Sequence, residues 1–483
     1  MQLHPNDNVE VLLQPVGEIP AGHKVALRDI KKGENVVKYG FPIGHATTDI
    51  AKGDWVHTHN IATNLEGTLE YRWKGDAASV QATSKEDEDK APKQQAKFPV
   101  RSTFMGYLRE DGRVGVRNEL WILPTVGCVA DLASRLANEM SAKTTLTVRA
   151  FPHTFGCSQL GDDHANTRQL LASLAMHPNA GGVLVLGLGC ENNQINELKP
   201  LITSSRVEYL ITQEVEDEVE EGLNILKRLA EVAAKAERTE QPVSKLCIGL
   251  KCGGSDGFSG ITANPLLGRF SDLITSLGAT SILTEVPEMF GAETILMDRC
   301  ISKDIFNKTV RLVNDFKEYY LKQGLPVGEN PSPGNKEGGI TTLEDKSLGC
   351  IQKGGTSNVF DVIDYGHRAQ TSGLHLLCAP GNDLVASTAL AVAGCQMVLF
   401  TTGRGTPFGT CVPTVKVSTN SNLAKRKPHW VDFNAGVLVE GKTFEEVVPQ
   451  FCDTVISIAN GEQTNNEKQG YSSIAIWKGG VTL

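Results

Sequence analysis

The 483-residue sequence lacks several features that mark whole classes of protein. It has no run of about 18 apolar residues that could span a bilayer, and its start, MQLHPNDNVEVLL, has neither the basic first segment nor the apolar core of a secretory signal. It also lacks a dense basic block, and its 47 Lys and Arg residues against 56 Asp and Glu residues give a net charge of −9. These absences favour a cytoplasmic protein that binds neither membrane nor nucleic acid.

Two nucleotide-binding motifs are also missing. The phosphate-cradling pattern GxxxxGK[ST] does not occur, so nucleotide hydrolysis has no support. The segment GLGCEN begins like a dinucleotide fingerprint, but Asn192 stands at the third glycine position and no acidic residue closes a strand about 20 residues later. NAD is therefore not expected as a cofactor.

The eleven cysteines form no CxxC pair, and their odd number and spacing do not fit a small disulfide-rich framework. We therefore expect reduced thiols. Six of them lie directly beside a glycine, which is typical of a tight turn where the backbone can approach a ligand. These six are Cys128, Cys157, Cys190, Cys252, Cys350 and Cys395.

Changes in composition divide the chain into four parts. Residues 1–73 contain short β segments separated by Gly, Pro and Asp turns, which predicts an all-β module, and the polar stretch 74–100 predicts a linker. In 101–240 and again in 241–483, apolar runs of strand length alternate with amphipathic stretches of helix length. That alternation predicts two α/β units, each with parallel strands and helical crossovers.

Several thiols follow predicted strands directly. Cys157, Cys190 and Cys252 are in this position, and ligands bind outside the carboxyl ends of parallel strands. Thiolates beside carboxylates and an imidazole suit iron or zinc better than magnesium, so the three could hold a metal, or a cluster with one open iron. A turn with N-capping aspartates and a buried thiol is the alternative for each segment.

The segment LKCGGSDGFSGITANP (250–265) combines glycines and hydroxyls in a strand-to-helix loop. Such a loop surrounds an anion or polyol with backbone N–H groups and small polar side chains. We therefore expect Ser255, Asp256 and Asn264 to bind substrate. The segment EVPEMFGAE offers carboxylates as well, but a helix starting near Pro287 would by itself favour Glu288 in its first turn.

Three cations lie in other glycine-rich loops, namely Lys336, Lys353 and Arg404. A cation among glycines is a common means of holding a substrate carboxylate, and arginine can do so with two parallel hydrogen bonds. In an acidic protein, such local positive charge would offset the repulsion of an anionic substrate. We expect all three to bind a carboxylate.

The N-terminal module carries a group of ionisable residues. His57 and His59 alternate within a predicted strand, so their side chains are expected on one face as a metal-ligand or acid–base pair. His23 and Lys24 add further ionisable groups to the same module. A solvated edge strand with exposed histidines is the alternative.

At this point several long segments resemble one enzyme family. GHKVALRDI, VKYGFPIGHA and HTHNIATNL resemble the β-clip (SAF) domain of sugar-acid dehydratases. GCSQLGDDH, GLGCENNQ, CGGSDGFSGITANP, TEVPEMFGAE and FTTGRGTPFG resemble the rest of the altronate/galactarate dehydratase family, which also includes sulfolactate sulfo-lyases. The resemblance extends from about residue 5 to the final GGVTL and spares mainly the linker.

The resemblance implies an architecture and a reaction. The architecture is a β-clip module, a linker, a middle domain often used for dimerisation and a Rossmann-like C-terminal domain. The reaction is the dehydration of D-altronate to 2-dehydro-3-deoxy-D-gluconate in hexuronate catabolism, with Fe(II) as Lewis acid. Mn(II) is a possible substitute, and an iron–sulfur cluster is the less favoured alternative. Action on galactarate or sulfolactate, or sugar-acid binding without catalysis, remains open.

The same reasoning assigns expected roles to the residues. His23, Lys24, His57 and His59 are the expected acid and base groups. Cys157, Cys190 and Cys252 are the expected metal ligands, with His57 and His59 as competitors for that role.

Overall fold

The computed structural model describes residues 1–75 and 101–483. The predicted linker, 74–100, therefore lies outside the described residues except for its first two positions. The N-terminal strands are β1 (Val9–Val11), β2 (Lys24–Ala26), β3 (Asn35–Lys38), β4 (Phe41–Ala46), β5 (Trp55–Val56) and β6 (Ile61–Ala62).

The elements of the middle part are β7 (Thr103–Leu108), β8 (Val114–Gly115), β9 (Glu119–Pro124), α1 (Ala130–Ser141), β10 (Val148–Ala150), α2 (Gly161–Ala175), β11 (Ala180–Gly187), α3 (Ile195–Leu198), β12 (Val207–Ile211), α4 (Glu218–Ala233) and β13 (Thr239–Pro242). The C-terminal strands are β14 (Cys247–Cys252), β15 (Thr280–Leu283), β16 (Val359–Ile363), β17 (Gly373–Leu377), β18 (Met397–Thr402), β19 (Thr414–Ser418) and β20 (Phe433–Asn434). The C-terminal helices are α5 (Ala263–Ser276), α6 (Glu293–Met297), α7 (Lys303–Lys322), α8 (Pro333–Glu337), α9 (Leu343–Cys350), α10 (Asp383–Val392), α11 (Ser421–Arg426), α12 (Phe444–Ala459) and α13 (Asn465–Lys468).

The predicted fold class, α/β with an all-β N-terminal module, is confirmed. The module consists of two three-stranded antiparallel sheets, in the orders β1-β2-β5 and β3-β4-β6. Because apolar and polar residues alternate along the strands, the side chains of Val9, Ile43 and Val56 all point into a common core. The predicted strand through His57 and His59 is wrong: β5 ends at Val56, because the side chain of Asn60 accepts a hydrogen bond from the His57 N–H and closes a turn.

The middle part is a four-stranded parallel sheet in the order β10-β9-β11-β12. Helices α1 and α4 pack together on one face, because their apolar side chains recur at helical spacing and form a separate buried cluster with the strands. Beside this sheet, β13 pairs with β7 and β7 with β8 in a small antiparallel sheet. The chain therefore returns to its entry point before it begins the next domain.

The C-terminal part is a seven-stranded parallel sheet in the order β16-β17-β15-β14-β18-β19-β20. The chain builds outward from β14 in one direction and then crosses to β18 on its other side, so the strand order reverses between β14 and β18. The carboxyl ends at such a reversal leave a crevice for a ligand. Among residues 1–75 and 101–483, no helix has the length and apolar character needed to cross a bilayer.

Glycines allow the backbone of the N-terminal module to approach the backbone of the C-terminal domain closely. Gly257 follows β14 and donates a hydrogen bond from its N–H to the Gly338 carbonyl at 2.7 Å. A Cβ atom added at Gly257 would lie 1.9 Å from the carbonyl oxygen of Gly22, and one added at Gly339 would lie 2.5 Å from the same atom. Only glycine permits this approach.

We expect Gly257→Ala to disrupt docking of the module, because the clash is with backbone that a side chain cannot yield to. The expected loss in the free energy of unfolding is about 3 kcal/mol. Hydrogen exchange should rise throughout β2. Gly328→Ala is the matched control, since its added Cβ would meet no atom closer than 3.6 Å. Wild-type stability and exchange in Gly257→Ala would contradict the close approach.

Candidate active site

Two thiols and a carboxylate meet in the crevice. Cys252 ends β14, Cys350 ends α9, and Glu288 lies in a short 3₁₀ turn, Val286–Met289, that follows β15. Glu288 Oε2 lies 3.1 Å from each sulfur, and the sulfurs are 3.4 Å apart. All three side chains are buried, and they are the only group of three His, Cys, Asp or Glu side chains in the described residues with ligand atoms all within 4.8 Å.

Lysines surround this cluster. Lys346 Nζ is 2.7 Å from Glu288 Oε1, and Lys353 donates a hydrogen bond to Cys252 Sγ at 2.9 Å. Burial alone would raise the pKa of Glu288, but Lys346 and Lys353 outweigh it and lower this pKa to about 2. The hydrogen bond between Cys350 and Cys252, together with burial, raises the pKa of Cys350 well above its ordinary value. The cluster therefore contains an ionised carboxylate beside a thiol that stays protonated in the absence of a cation.

A second ion pair lies directly beneath the cluster. Lys251 donates to Glu285 at 2.7 Å and to Asp383 at 2.8 Å, and the Cys252 N–H donates to Glu285 at 2.9 Å. Glu285 reaches both because its backbone is left-handed, with φ of 69°, a conformation that a residue other than glycine rarely adopts. Burial and repulsion from Glu288 raise the pKa of Glu285, while Lys251 opposes them.

A buried carboxylate joins the N-terminal module to the crevice. Asp345, in α9, accepts from Lys24 at 2.8 Å and from Lys38 at 2.9 Å, and Lys24 also donates to the Gly339 carbonyl. Burial lowers the pKa of Lys24 to about 8, although Asp345 opposes it. Since Asp345 and Cys350 share one short helix, this contact places the module beside the thiols.

The histidines of the module cluster around Trp55. The ring of His57 stacks on Trp55 with centroids 5.2 Å apart, while His23 and His59 meet Trp55 edge-on. Trp55 donates to His23 Nδ1, so His23 carries its proton on Nε2 and donates to the Glu337 carbonyl. Burial, with the charges of Lys24 and His23, lowers the pKa of His57 to about 4, and His57 Nδ1 is buried without a partner among the residues described.

The predicted polyol-binding residues have different surroundings. Asp256 accepts from Thr419 and Asn420, and Asn264 uses both ends of its amide, on Gly349 and Thr401. Both therefore hold loops together and have little bonding capacity left. Ser255 differs, because its buried hydroxyl has no partner in the part of the chain that the structure describes. It lines a cavity of about 10 Å³ together with Lys38, Tyr39, Lys346 and Cys350.

The three predicted carboxylate-binding cations are also separated. Lys353 is buried against Cys252, as described above. Arg404 is 47% exposed and pairs with Glu337 at 2.9 Å, while Lys336 is half-buried in α8. Arg404, in a loop, and Lys336, in α8, thus lie at the solvent-accessible rim of the crevice, and Lys353 lies buried at its base.

The three thiols predicted as one metal site do not come together. Cys157 and Cys190 are exposed in the middle domain, and Cys190 accepts a hydrogen bond from Gln213. Their sulfurs form no group of ligand atoms within 4.8 Å with Cys252, whose partners are Glu288 and Cys350 instead. The reason is that β10 and β11 belong to a different sheet from β14. In the part of the chain that the structure describes, neither His57 nor His59 belongs to a group of three such ligand atoms.

Cys350 was not predicted from the sequence as a member of the cluster, nor were several charged residues that surround the cluster. Cys350 is one of the six cysteines that lie beside a glycine, and this neighbouring glycine is the signal in the sequence that could have identified it. Lys346, Asp345 and Lys38 carried no signal, because a lysine or aspartate in an amphipathic segment is usually solvated. Their burial here follows only from the docking of the module.

The chain is similar to known proteins over its whole length. Three family models match the chain: "Altronate/galactarate dehydratase SAF domain" at residues 13–64, "D-galactarate dehydratase/Altronate hydrolase, second domain" at 106–234, and "D-galactarate/Altronate dehydratase, C-terminal" at 243–482. An altronate dehydratase of Bacillus subtilis is 51% identical, with 100% of this chain and 99% of the relative covered. The chain belongs to the altronate/galactarate dehydratase family. The predicted resemblance is thereby confirmed.

Two further relatives place the chain within this family. An altronate dehydratase of Escherichia coli is also 51% identical, again covering 100% of this chain and 99% of the relative. A galactarate dehydratase (L-threo-forming) of Escherichia coli is 31% identical, covering 96% of this chain and 93% of the relative. The chain is therefore more similar to the two altronate dehydratases than to this galactarate dehydratase.

Proposed function

We propose that the protein is a hydro-lyase that converts D-altronate to 2-dehydro-3-deoxy-D-gluconate and water in hexuronate catabolism. The observation that carries this proposal is 51% identity, over the whole chain, to two proteins named altronate dehydratase. The buried cluster at the crevice supplies side chains suited to the chemistry. A cytoplasmic location and a homodimer formed through the middle domain are part of the same proposal, and light scattering of the purified protein tests the dimer.

We propose Fe(II) as the metal, held by Cys252, Glu288 and Cys350. Two sulfurs and one carboxylate suit Fe(II) better than Mn(II), which prefers oxygen ligands, and no sulfide-bridged cluster is needed. Charge also fits. The ammonium groups of the surrounding lysines balance the nearby carboxylates, so a divalent cation bound by two thiolates would leave the buried site neutral. Fe(II) bound there would supply a Lewis acid for the substrate carboxylate and hydroxyl.

The reaction breaks the C2–H and C3–O bonds and forms an enol that tautomerises to the 2-keto acid. We assign removal of the C2 proton to His57 as the general base. Its buried Nδ1 lacks a partner among the described residues, and its low pKa keeps the ring neutral at pH 7. His59, exposed and edge-on to the same Trp55, is assigned to protonate the leaving C3 hydroxyl. His23 has both ring nitrogens bonded and Lys24 is fully buried, so these two position His57 and lower its pKa.

Lysines at the base of the crevice would stabilise negative charge that develops on the substrate. Lys353 and Lys346 are preorganised by their contacts with Cys252 and Glu288, so their charges need no rearrangement during reaction. Arg404 and Lys336 at the rim would attract the carboxylate, and the spare hydroxyl of Ser255 would bind the polyol. The cavity of about 10 Å³ holds about one water molecule, so a six-carbon acid requires its walls to move apart.

The low pKa of His57 predicts a pH-dependent stability. Its pKa is about 4 in the folded protein and about 6.5 when unfolded, so the unfolded chain binds the proton more readily between these values. The contribution of neutral His57 to the free energy of unfolding is therefore fully present above pH 6.5 and is lost as the pH falls towards 4. We expect the unfolding temperature of His57→Gln to fall less over this window than that of wild type. The exposed His59→Gln is the control, and an unchanged slope in His57→Gln would contradict the assignment.

The proposed activity is tested by anaerobic reconstitution of the protein with ferrous iron. Formation of a 2-keto acid is then followed with D-altronate, galactarate and sulfolactate, the last of which would release sulfite in place of water. Turnover of altronate alone, lost on chelation, is the expected result. Turnover of galactarate or sulfolactate alone would establish the alternative substrate. Binding of altronate by iron-loaded protein without turnover would instead establish a binding protein.

A further inference from the structure

A second cavity lies at the opposite end of the C-terminal sheet from the candidate active site. It has a volume of about 680 Å³ and is lined by residues of both the middle and the C-terminal domains. Cys247 and Thr280, the first residues of β14 and β15, form part of its wall, whereas the candidate site lies beyond the last residue of β14. The cavity therefore faces the amino ends of the strands and shares no residue with the crevice.

The lining of this cavity contains three cationic side chains, Arg113, Lys245 and Arg368, and two acidic ones, Glu110 and Asp111. Lys245 and Arg368 line it, and neither has a carboxylate within 4.0 Å in the described ranges 1–75 and 101–483. Arg113 also lines it and pairs with Asp111 through Nε at 2.8 Å, but its Nη1 is buried without a partner among those residues. Glu110 is occupied by Ser204 and Ser205, which donate to its carboxylate.

The guanidinium groups influence one another. Burial lowers the pKa of Arg368, and the charge of Arg113 lowers it further. Burial lowers the pKa of Arg206 and the charge of Arg113 adds to this, while Asp111 and Glu110 oppose it. Its Nε and Nη2 are buried without partners in the described chain. A buried N–H group of a cation without an acceptor is unfavourable, and an anion in the cavity would provide an acceptor for Nη1 of Arg113, which lines it.

We propose that this cavity, formed by Arg113, Lys245 and Arg368, binds a small metabolite that carries at least two negative charges on phosphate or carboxylate groups. Its volume is that of a metabolite site and exceeds what one inorganic anion needs. Hydroxyl groups of Ser204, Thr371 and Ser372 line the same space and suit a hydroxylated ligand. The ligand would contact both domains, so its binding stabilises their packing.

The test is calorimetric titration of the full-length protein with inorganic phosphate and, separately, with tricarballylate, at constant ionic strength. We expect saturable binding of one of them at one site per chain, and a rise in unfolding temperature of about 1–2 °C at ten times the dissociation constant. Arg368→Gln should weaken binding at least tenfold. Lys245→Gln should weaken it as well, and because Lys245 is exposed this variant does not endanger folding.

Lys227→Gln and Arg135→Gln remove exposed cations of the middle domain that do not line the cavity, and both should bind like wild type. Binding of phosphate alone would identify a phosphorylated ligand, and binding of tricarballylate alone a polycarboxylate. No saturable binding of either probe would overturn the proposal. Binding that survives unchanged in both Arg368→Gln and Lys245→Gln would also overturn it, because the probe would then bind elsewhere.

Discussion

Replacing Cys252 with serine is expected to reduce turnover of altronate more than about 100-fold and to abolish stoichiometric binding of iron. The sulfur lies 3.1 Å from Glu288 and 3.4 Å from Cys350, so its loss removes one of three clustered donors. A serine hydroxyl has nearly the same shape but is a far poorer ligand for a soft metal. Metal analysis after anaerobic loading and steady-state kinetics measure the two effects separately.

Cys452→Ser is the matched control for this experiment. Cys452 is equally buried but packs in α12 against the apolar core. Its replacement should lower stability by about 1–3 kcal/mol, because a hydroxyl is buried there, and leave iron content and kcat unchanged. Wild-type iron content in Cys252→Ser would remove Cys252 from the metal site, whatever the activity of the variant.

Replacing Asp345 with asparagine is expected to lower the free energy of unfolding by about 3–5 kcal/mol. Asp345 is the common partner of Lys24 and Lys38, and all three side chains are almost completely buried. Without the carboxylate, two ammonium groups share a buried site with no compensating charge. We expect the N-terminal module to separate from α9, with faster hydrogen exchange in β2 and β3 and loss of turnover.

The exposed pair between Lys31 and Asp49 provides the comparison. It also joins a lysine to an aspartate, but both residues lie within the N-terminal module. The pair is 3.1 Å apart, and both side chains are more than 60% exposed. Water screens this pair, so Asp49→Asn should change stability by less than about 1 kcal/mol. Equal effects of Asp345→Asn and Asp49→Asn would show that the module is not held by the buried carboxylate.

The order of strands and helices could be read from the sequence because each of the main strands is a continuous apolar run. β9, β11, β14, β15, β17 and β18 each overlap one of the apolar runs of strand length that the sequence contains, such as LWILPTV, KLCIGL and MVLFTT. The edge strand β20 and the two-residue strand β8 were not predicted, because segments this short carry no periodic pattern. The pairing of β7 with β13 joins segments more than 130 residues apart, and a local pattern cannot indicate it.

The candidate site could be predicted only in part for a related reason. Cys252 was singled out by its loop, and the structure places it at the crevice as expected of a residue that follows a parallel strand. Its partners Glu288 and Cys350 come from the next strand and from a helix about 100 residues away. Cys157 looks equivalent in sequence, yet it follows a strand of another sheet, so sheet membership decided which thiols meet.

The histidines show how a turn changes a prediction. Alternation placed His57 and His59 on one face of a strand, whereas they lie in a turn closed by Asn60. Both nevertheless contact Trp55, because that ring lies at the end of β5 next to the turn. The two imidazoles are therefore near each other as expected, but because both pack on Trp55 and not because they share a strand face.

The most direct test of the proposed metal centre is the X-ray absorption spectrum of iron in the anaerobically loaded, full-length protein. If Cys252, Glu288 and Cys350 hold the metal, the spectrum should require sulfur neighbours. Cys252→Ser should retain no stoichiometric iron after the same loading, so the sulfur-ligated iron signal should be absent from that variant. A wild-type spectrum explained by oxygen and nitrogen neighbours alone would contradict the account and move the metal away from the thiols.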